Sequence, residues 1–391
     1  MWLSNFKLVL ADRIIPNGSV RIENGLIADI VERPMTCGID GAGTELFPGF
    51  IDMHGDMIEI ELEPRATVDF PMDVALNHLD ARLATAGVTT AYAAVSFSRG
   101  AAQGERRSFE HTSRVIRALH AFKADGRVDH KIHARFDITY DNAIGVLADL
   151  LTDGTVDLVS LMDHTPGQGQ YRNIETHVKN KAAQMGVSEA EAGQAIATKI
   201  AERTRPVEII LQNMMAVSQL CKKHGVVLAS HDDDTEDKAK LMANLGAVIA
   251  EFPVTLEAAQ AGAAKGMLMA MGAPNAMRGQ SYSGNLSARE AHAHGLLHIL
   301  AADYHPAAIL PAIRALALAD PDGLVGAVRL ATVNPARALG LTDRGEIAVG
   351  KRADLIAIAD GTRIVCSYCA GQVIYSNGVL EALSVRQAAV A

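Results

Sequence analysis

GFIDMHGD, residues 49–56, follows an apolar opening and sets Asp52, His54 and Asp56 at every second position. Alternate side chains of a β-strand leave on the same side. The spacing therefore predicts a buried strand with one polar face carrying a histidine and two acids. A solvated strand end is the plain reading. Half of a metal site is the sharper one, and it requires the rest of the chain to supply the other donors.

Working outward, seven further apolar runs repeat the style of the first: VTTAYAAVS (88–96), KIHARFDIT (131–139), VDLVSLMDH (156–164), VVLASHDD (226–233), AVIAEFP (247–253), MLMAMGAPN (267–275) and LHILAADY (297–304). Helical patterns such as DVALNHLDARLATAG and IILQNMMAVSQLCKKHG lie between them, the second ending on a glycine C-cap signal. Eight β-strand and α-helix units over residues 49–343 predict an α/β fold, a (β/α)8 TIM-type barrel. An open doubly wound sheet is the competitor, weakened because no G-x-G-x-x-G follows the first strand.

The flanks read differently. Residues 1–48 and 344–391 are short β runs punctuated by Asn17-Gly18, Asn24-Gly25, Asp360-Gly361, Ala370-Gly371 and Asn377-Gly378. Together they predict one small β-sandwich domain built from both termini. The connection at 165–225, between the fourth and fifth barrel strands, is long and polar. We read it as a lid in preference to an oligomer contact, because it begins beside His164.

Composition limits the partners. With 391 residues, 49% of them hydrophobic, the chain buries a large core, and a net charge of −9 suits neither nucleic acid nor an anionic membrane. No basic segment followed by an apolar one opens the chain, and no run of 18 apolar residues occurs, so the expected location is the cytoplasm. Cys37, Cys221, Cys366 and Cys369 form no disulfide framework, and the lone CSYC at 366–369 lacks the further ligands of a zinc site.

A barrel concentrates its chemistry at the C-terminal ends of its strands. Those ends carry His54 and Asp56, then His133, Arg135 and Asp137, then Asp163 and His164, His231 through Asp234, Glu251, and Asp303. Any one of them is ordinary, but so many acids aimed at one mouth would repel each other unless a cation joined them. Mixed histidine and carboxylate donors suit zinc first and manganese second, ahead of calcium or magnesium.

FPGFIDMHGD resembles the first-strand signature of the amidohydrolase superfamily, and NPARALGLTDRGEIAVGKRADLIAI (334–358) resembles the segment that leaves its barrel. LVSLMDHTPGQGQY, LASHDDDT, IAEFPVTLEAA, MGAPNAMRGQSYSGN and AADYHPA are similar to the group of bacterial phosphonate-metabolism diphosphatases within it. The resemblance runs nearly end to end. It departs at Asp137, where the group usually has glutamate, and at Gln280 and Tyr282, where it has glycine and histidine. It implies hydrolysis of a small phosphorylated substrate, α-D-ribose 1-methylphosphonate 5-triphosphate, to the 5-phosphate and pyrophosphate. It also implies one or two divalent ions held by His54, Asp56, Asp137, His164, His231 and Asp303, with Asp303 as general base. Arg278, Arg65, Ser281, Tyr282, Asn285 and Glu251 are the expected substrate contacts. Arg135 is a further candidate whose other reading is charge balance among buried acids, and Glu251 has a supporting place beside the metals as its other reading. A homo-oligomer is expected. The rival activity is hydrolysis of a C–N bond in a small cyclic amide or amine. A non-catalytic scaffold would have lost donors that are present here.

Overall fold

The computed structural model describes residues 1–65, 68–97, 108–140, 143–281 and 284–388, the last five by backbone alone. Tyr282 lies outside the described residues.

Eight parallel strands run in chain order around the centre: β6 (Phe50–Gly55), β7 (Val88–Phe97), β8 (Asp129–Asp137), β9 (Leu158–Met162), β10 (Val227–His231), β11 (Ile249–Glu251), β12 (Leu268–Gly272) and β13 (Ile299–Ala301). Each coincides with one of the eight apolar runs. The last strand returns to the first, where Asp56 N–H donates to Asp303 O at 2.8 Å and Asp303 N–H to His54 O at 2.9 Å. The barrel thus closes through the backbone of the residues whose side chains matter most. Its interior is plugged by Ile51, Met53, Tyr92, Leu158, Ile249 and Ile299 with small alanines between them. This dry plug lies below the polar mouth and gives it a rigid floor.

The helix of Val207–His224 ends as its sequence requires: Gly225 takes φ +66° and its N–H bonds Cys221 O. Its buried Met214, Val217 and Cys221 pack into the shell around the barrel. It is therefore one of the barrel's own helices. The insertion proper is the earlier pair, Ile174–Met185 and Glu189–Arg203, the second opened by a Ser188/Glu191 capping box.

The strands of the two termini share one mixed sheet. Before the barrel come β1 (Trp2–Val9), β2 (Ile14–Glu23), β3 (Leu26–Val31), β4 (Ile39–Asp40) and β5 (Glu45–Pro48), and after it β14 (Leu355–Ala359), β15 (Arg363–Cys369) and β16 (Gln372–Ser376). Their order is β16-β15-β14-β5-β1-β2-β3, with β4 beside β1. So β5 lies between a strand from its own end of the chain and one from the other. Asn24 and Gly25 form the expected turn with positive φ at both, as do Asp360-Gly361 and Ala370-Gly371. Asn17-Gly18 does not turn. Both residues lie inside β2 where the pairing with β1 is irregular, and Gly18 leaves room for Leu8, whose Cδ1 would be 2.6 Å from a Cβ. Among the described residues no helix is long and apolar enough to cross a membrane.

Candidate metal centre and active site

The mouth of the barrel opens into a cavity of about 440 Å³. The strand that decided the fold is bulged there. Asp52 pairs with Ala91 and Gly55 with Ala93, so Met53 and His54 together oppose Tyr92. The extra residue breaks the alternation, and the single polar face expected for Asp52, His54 and Asp56 does not form. Asp52 turns into the closing seam, accepting the N–H of His54 at 3.1 Å and of Ala302 at 2.8 Å. Burial pushes its carboxyl up to about 6 against the pull of those bonds. Gly55 is needed at the bulge, since a Cβ would stand 2.7 Å from Asp52 Oδ2.

His54 enters the mouth instead. Its ring, that of His133 and the carboxylate of Glu251 offer donor atoms within 4.8 Å of one another, and His164, His231 and Asp232 form a second such group. His231 Nδ1 stands 3.0 Å from Glu251 Oε2, which joins the two groups. The rings are held from above by Phe252, edge-on to His54 at 4.9 Å and to His231 at 5.4 Å between centroids. Phe252, Asp232 and Asp303 all leave their strands at φ near +55°. Aspartate tolerates such a conformation better than most residues, but it is costly for phenylalanine, and it gathers at functional mouths.

Among the described residues, both ring nitrogens of His54, His133 Nδ1, Asp232 Oδ2 and Glu251 Oε1 are buried with no well-formed hydrogen bond, though His54 Nδ1 stands 3.2 Å from Glu251 Oε2. Each unsatisfied buried polar atom costs about 1–3 kcal/mol. The set combines neutral imidazole and carboxylate donors, which is the chemistry of a transition-metal site. Burial lowers His133 to about 3 and His164 to about 4, so both present lone pairs near neutrality. Burial also disfavours charge on His54, but the carboxylates of Glu251 and Asp56 outweigh it and draw the ring up to about 10. A cation would take the place of that proton. The residues fit a divalent metal.

The expected residues fall into three sets. His54, Asp56, His231 and Asp303 line the cavity together, as do Arg278, Ser281 and Asn285. His164 adjoins them at 3.5 Å from Asp232. Asp303 is raised to about 7, by burial first and by the charge of Asp56 second. Asp56 is held below the usual carboxylate range despite its burial, because Arg135 and His54 face it.

Asp56 and Asp303, expected as metal ligands, line the cavity but join neither donor group, and three other placements differ further from expectation. Glu251 is fully buried among three histidines and does not line the cavity. It stands in the first donor group, where the imidazoles converge. Asp137 joins neither donor group; its carboxylate accepts from Thr139 and from Arg203 of the insertion. Arg65 is exposed on a loop and does not line the cavity. Sequence reasoning left three participants out of the site. His133 and Asp232 were visible as strand-end residues. Phe252 carried no signal, since its role depends on a backbone turn.

The chain matches the Amidohydrolase family over residues 46–374. The chain belongs to the amidohydrolase family. It is 37% identical, over 91% of its own length and 94% of the relative's, to the alpha-D-ribose 1-methylphosphonate 5-triphosphate diphosphatase of Escherichia coli (strain K12). Among solved structures it is similar to 5-methylcytosine deaminase from Klebsiella pneumoniae (TM-score 0.66, 16% identity, covering 97% of this chain and 99% of that one). It is also similar to N-acetyl-D-glucosamine-6-phosphate deacetylase from Mycobacterium smegmatis (TM-score 0.63, 17% identity, 96% and 99%). These two likenesses concern the fold. Membership in this metal-dependent family agrees with the donor groups at the mouth.

Proposed function

We propose that this amidohydrolase is a metal-dependent diphosphatase that cleaves α-D-ribose 1-methylphosphonate 5-triphosphate to the 5-phosphate and pyrophosphate. One observation carries the reading: the cavity has histidine and carboxylate donors on its floor and an arginine with amide and hydroxyl groups at its rim. A C–N hydrolase for a small uncharged ring has no use for that rim. The relative of 37% identity, which bears the diphosphatase name, supports the same choice.

His54, His133 and Glu251 would hold one cation and His164, His231 and Asp232 another, with Asp56 at the edge of the first. Zinc fits these donors best and manganese next. Bound there, a divalent cation neutralises phosphoryl oxygens and makes water a better nucleophile. The chain's own groups do the rest. Asp303, which lines the cavity beside the donor groups, takes the proton of the attacking water. Arg278 lines the rim with Tyr304, whose hydroxyl accepts from it at 3.4 Å. It faces the charge that gathers on departing pyrophosphate. Ser281 and Asn285 orient the outer phosphates. A highly charged substrate does not cross a membrane unaided, which agrees with a cytoplasmic enzyme. The insertion would serve as the contact between copies or as cover for the mouth.

³¹P NMR of the metal-loaded protein with the ribosyl triphosphate tests the reading. Hydrolysis in ¹⁸O-water should put label in the ribosyl 5-phosphate. Orthophosphate as the first product, or an unchanged spectrum, would exclude it.

A further inference from the structure

A second arginine lies much deeper than Arg278. Arg135, on β8, is 6% exposed and yet lines the cavity with His54, His231, Asp232 and Asp303. Its Nη1 donates to Asp56 Oδ1 at 2.5 Å. Its Nε is buried and has no hydrogen-bond partner among the described residues. A guanidinium has five N–H donors in one plane and keeps its charge at any pH a protein survives. The ion pair with Asp56 occupies Nη1 and leaves the buried Nε without a hydrogen bond.

Asp56, Glu59, Glu251 and Asp232 favour a cation at this place. Arg135 sits beside groups that fit a divalent metal, and like charges close together repel. Another anion in the cavity would neutralise the charge that a bound metal adds and accept from the part of the guanidinium that lines the cavity. A tetrahedral phosphoryl group suits a planar fork.

We infer that Arg135 is a catalytic residue that binds the non-bridging oxygens of the phosphoryl group under attack. The inference rests on the proposed diphosphatase reading and divides its labour. Arg135, which lines the cavity with Asp303, holds the α-phosphoryl group. Arg278, at the rim, faces the leaving group. The water oxygen bonds to the α-phosphorus and its proton passes to Asp303. The bond from the α-phosphorus to the bridging oxygen breaks, and pyrophosphate departs with that electron pair. Negative charge spreads over the equatorial oxygens during the exchange, and the fixed guanidinium meets it without reorganising.

The test uses the metal-loaded full chain with Arg135→Lys and Arg135→Gly, reading kcat, metal content, melting temperature and calorimetric binding of inorganic phosphate. Arg135→Lys keeps the charge and guards against a glycine variant that fails to fold. The lysine variant should fold with full metal, lose about 10³-fold in kcat and bind phosphate at least about tenfold more weakly, as expected for lost charge-assisted bonds. Added guanidinium chloride should restore part of the activity of Arg135→Gly. Wild-type turnover and phosphate binding in Arg135→Lys would overturn the inference. So would a fall in activity that tracks loss of metal and is not rescued by guanidinium. If the wild-type enzyme releases no pyrophosphate, the diphosphatase reading fails, and the phosphate titration still decides whether Arg135 binds a phosphoryl group.

Discussion

Asp303 shows how one residue acquires two tasks. Its backbone closes the barrel against His54 and Asp56, while its carboxyl, pushed to about 7, faces the cavity. Asp303→Asn keeps the backbone bonds and the shape but cannot take a proton. General-base catalysis contributes about 10²–10⁴-fold, so kcat should fall by that order while substrate affinity changes little. Single-turnover rates beside equilibrium binding measure the two effects separately. A matched loss of binding would place Asp303 in substrate contact instead. At this scale the sequence disclosed residue types better than directions. His54, His231 and Asp303 were readable because a histidine or acid at a strand end has few places to point. Asp52 misled because the bulge in β6 is set by packing against β7 and β13, and no local pattern marks it. Glu251 misled for a related reason: the short β11 ends on it, and whether the side chain stops below or within the mouth depends on the neighbouring histidines.

At the scale of elements, the insertion is fastened at its returning end. Arg203, the last residue of its second helix, is buried against Asp137, donates to Thr165 Oγ1 at 3.2 Å, and stands 3.8 Å from Asp163. These partners flank His164, so the arm that leaves the barrel after β9 also steadies the residue beside which it leaves. Arg203→Gln leaves Asp137 buried and unpaired, a change that typically costs about 3–5 kcal/mol. The melting temperature should drop sharply, and adding Asp137→Asn should recover most of it. A double variant as unstable as the single one would show that Arg203 acts through packing alone. None of this was legible in sequence, because the partners are brought together only by the return of the arm.

A second clamp joins the helix Met72–Thr85 to the approach of β8. Asp80 accepts the N–H groups of Arg127 and Val128 at 3.0 Å and faces His130 Nε2 at 2.9 Å. Burial opposes its ionisation, yet His130 and the two N–H groups hold its pKa below the usual value. The unfolded chain therefore binds a proton at Asp80 more readily than the folded one. Its stabilisation is complete above the unfolded value, about 3.9, and is lost as pH falls through the folded value. Denaturant titrations of wild type and Asp80→Asn across that acid range should converge as pH falls. Curves that stay parallel down to the acid limit would remove Asp80 from the acid response.

For the whole molecule, the barrel and the terminal sheet share a buried core. Phe47, Phe50, Ile356 and Ile358 belong to the same buried cluster as the barrel's helical shell. Arg344 bridges Thr90 and Asp129, at the barrel's lower end, to Asp343 in the segment that leaves it. A chain ending at residue 343 would lack β14 to β16, and the edge of β5 and its apolar neighbours would be bare. Such edges pair with other chains. The truncated protein should be recovered in aggregates when soluble and pelleted fractions are compared. A soluble fragment with full activity would show the sheet to be an independent appendage. The two-part sheet was legible from the matching style of the ends. The position of β5 between them was not, because strand order is settled by packing.

That order has a consequence for biosynthesis. β5 ends at Pro48, yet its neighbour β14 begins only at Leu355. At translation rates of about 5–20 residues per second, the nascent head must wait some tens of seconds for its partner while the barrel is spun out behind it. Strands β1 to β5 cannot complete their sheet until β14 has been made, however quickly they collapse. A nascent chain carries an unfinished edge on β5 until then, so a ribosome stalled within the barrel would leave a product primed for rescue or degradation rather than a smaller working enzyme.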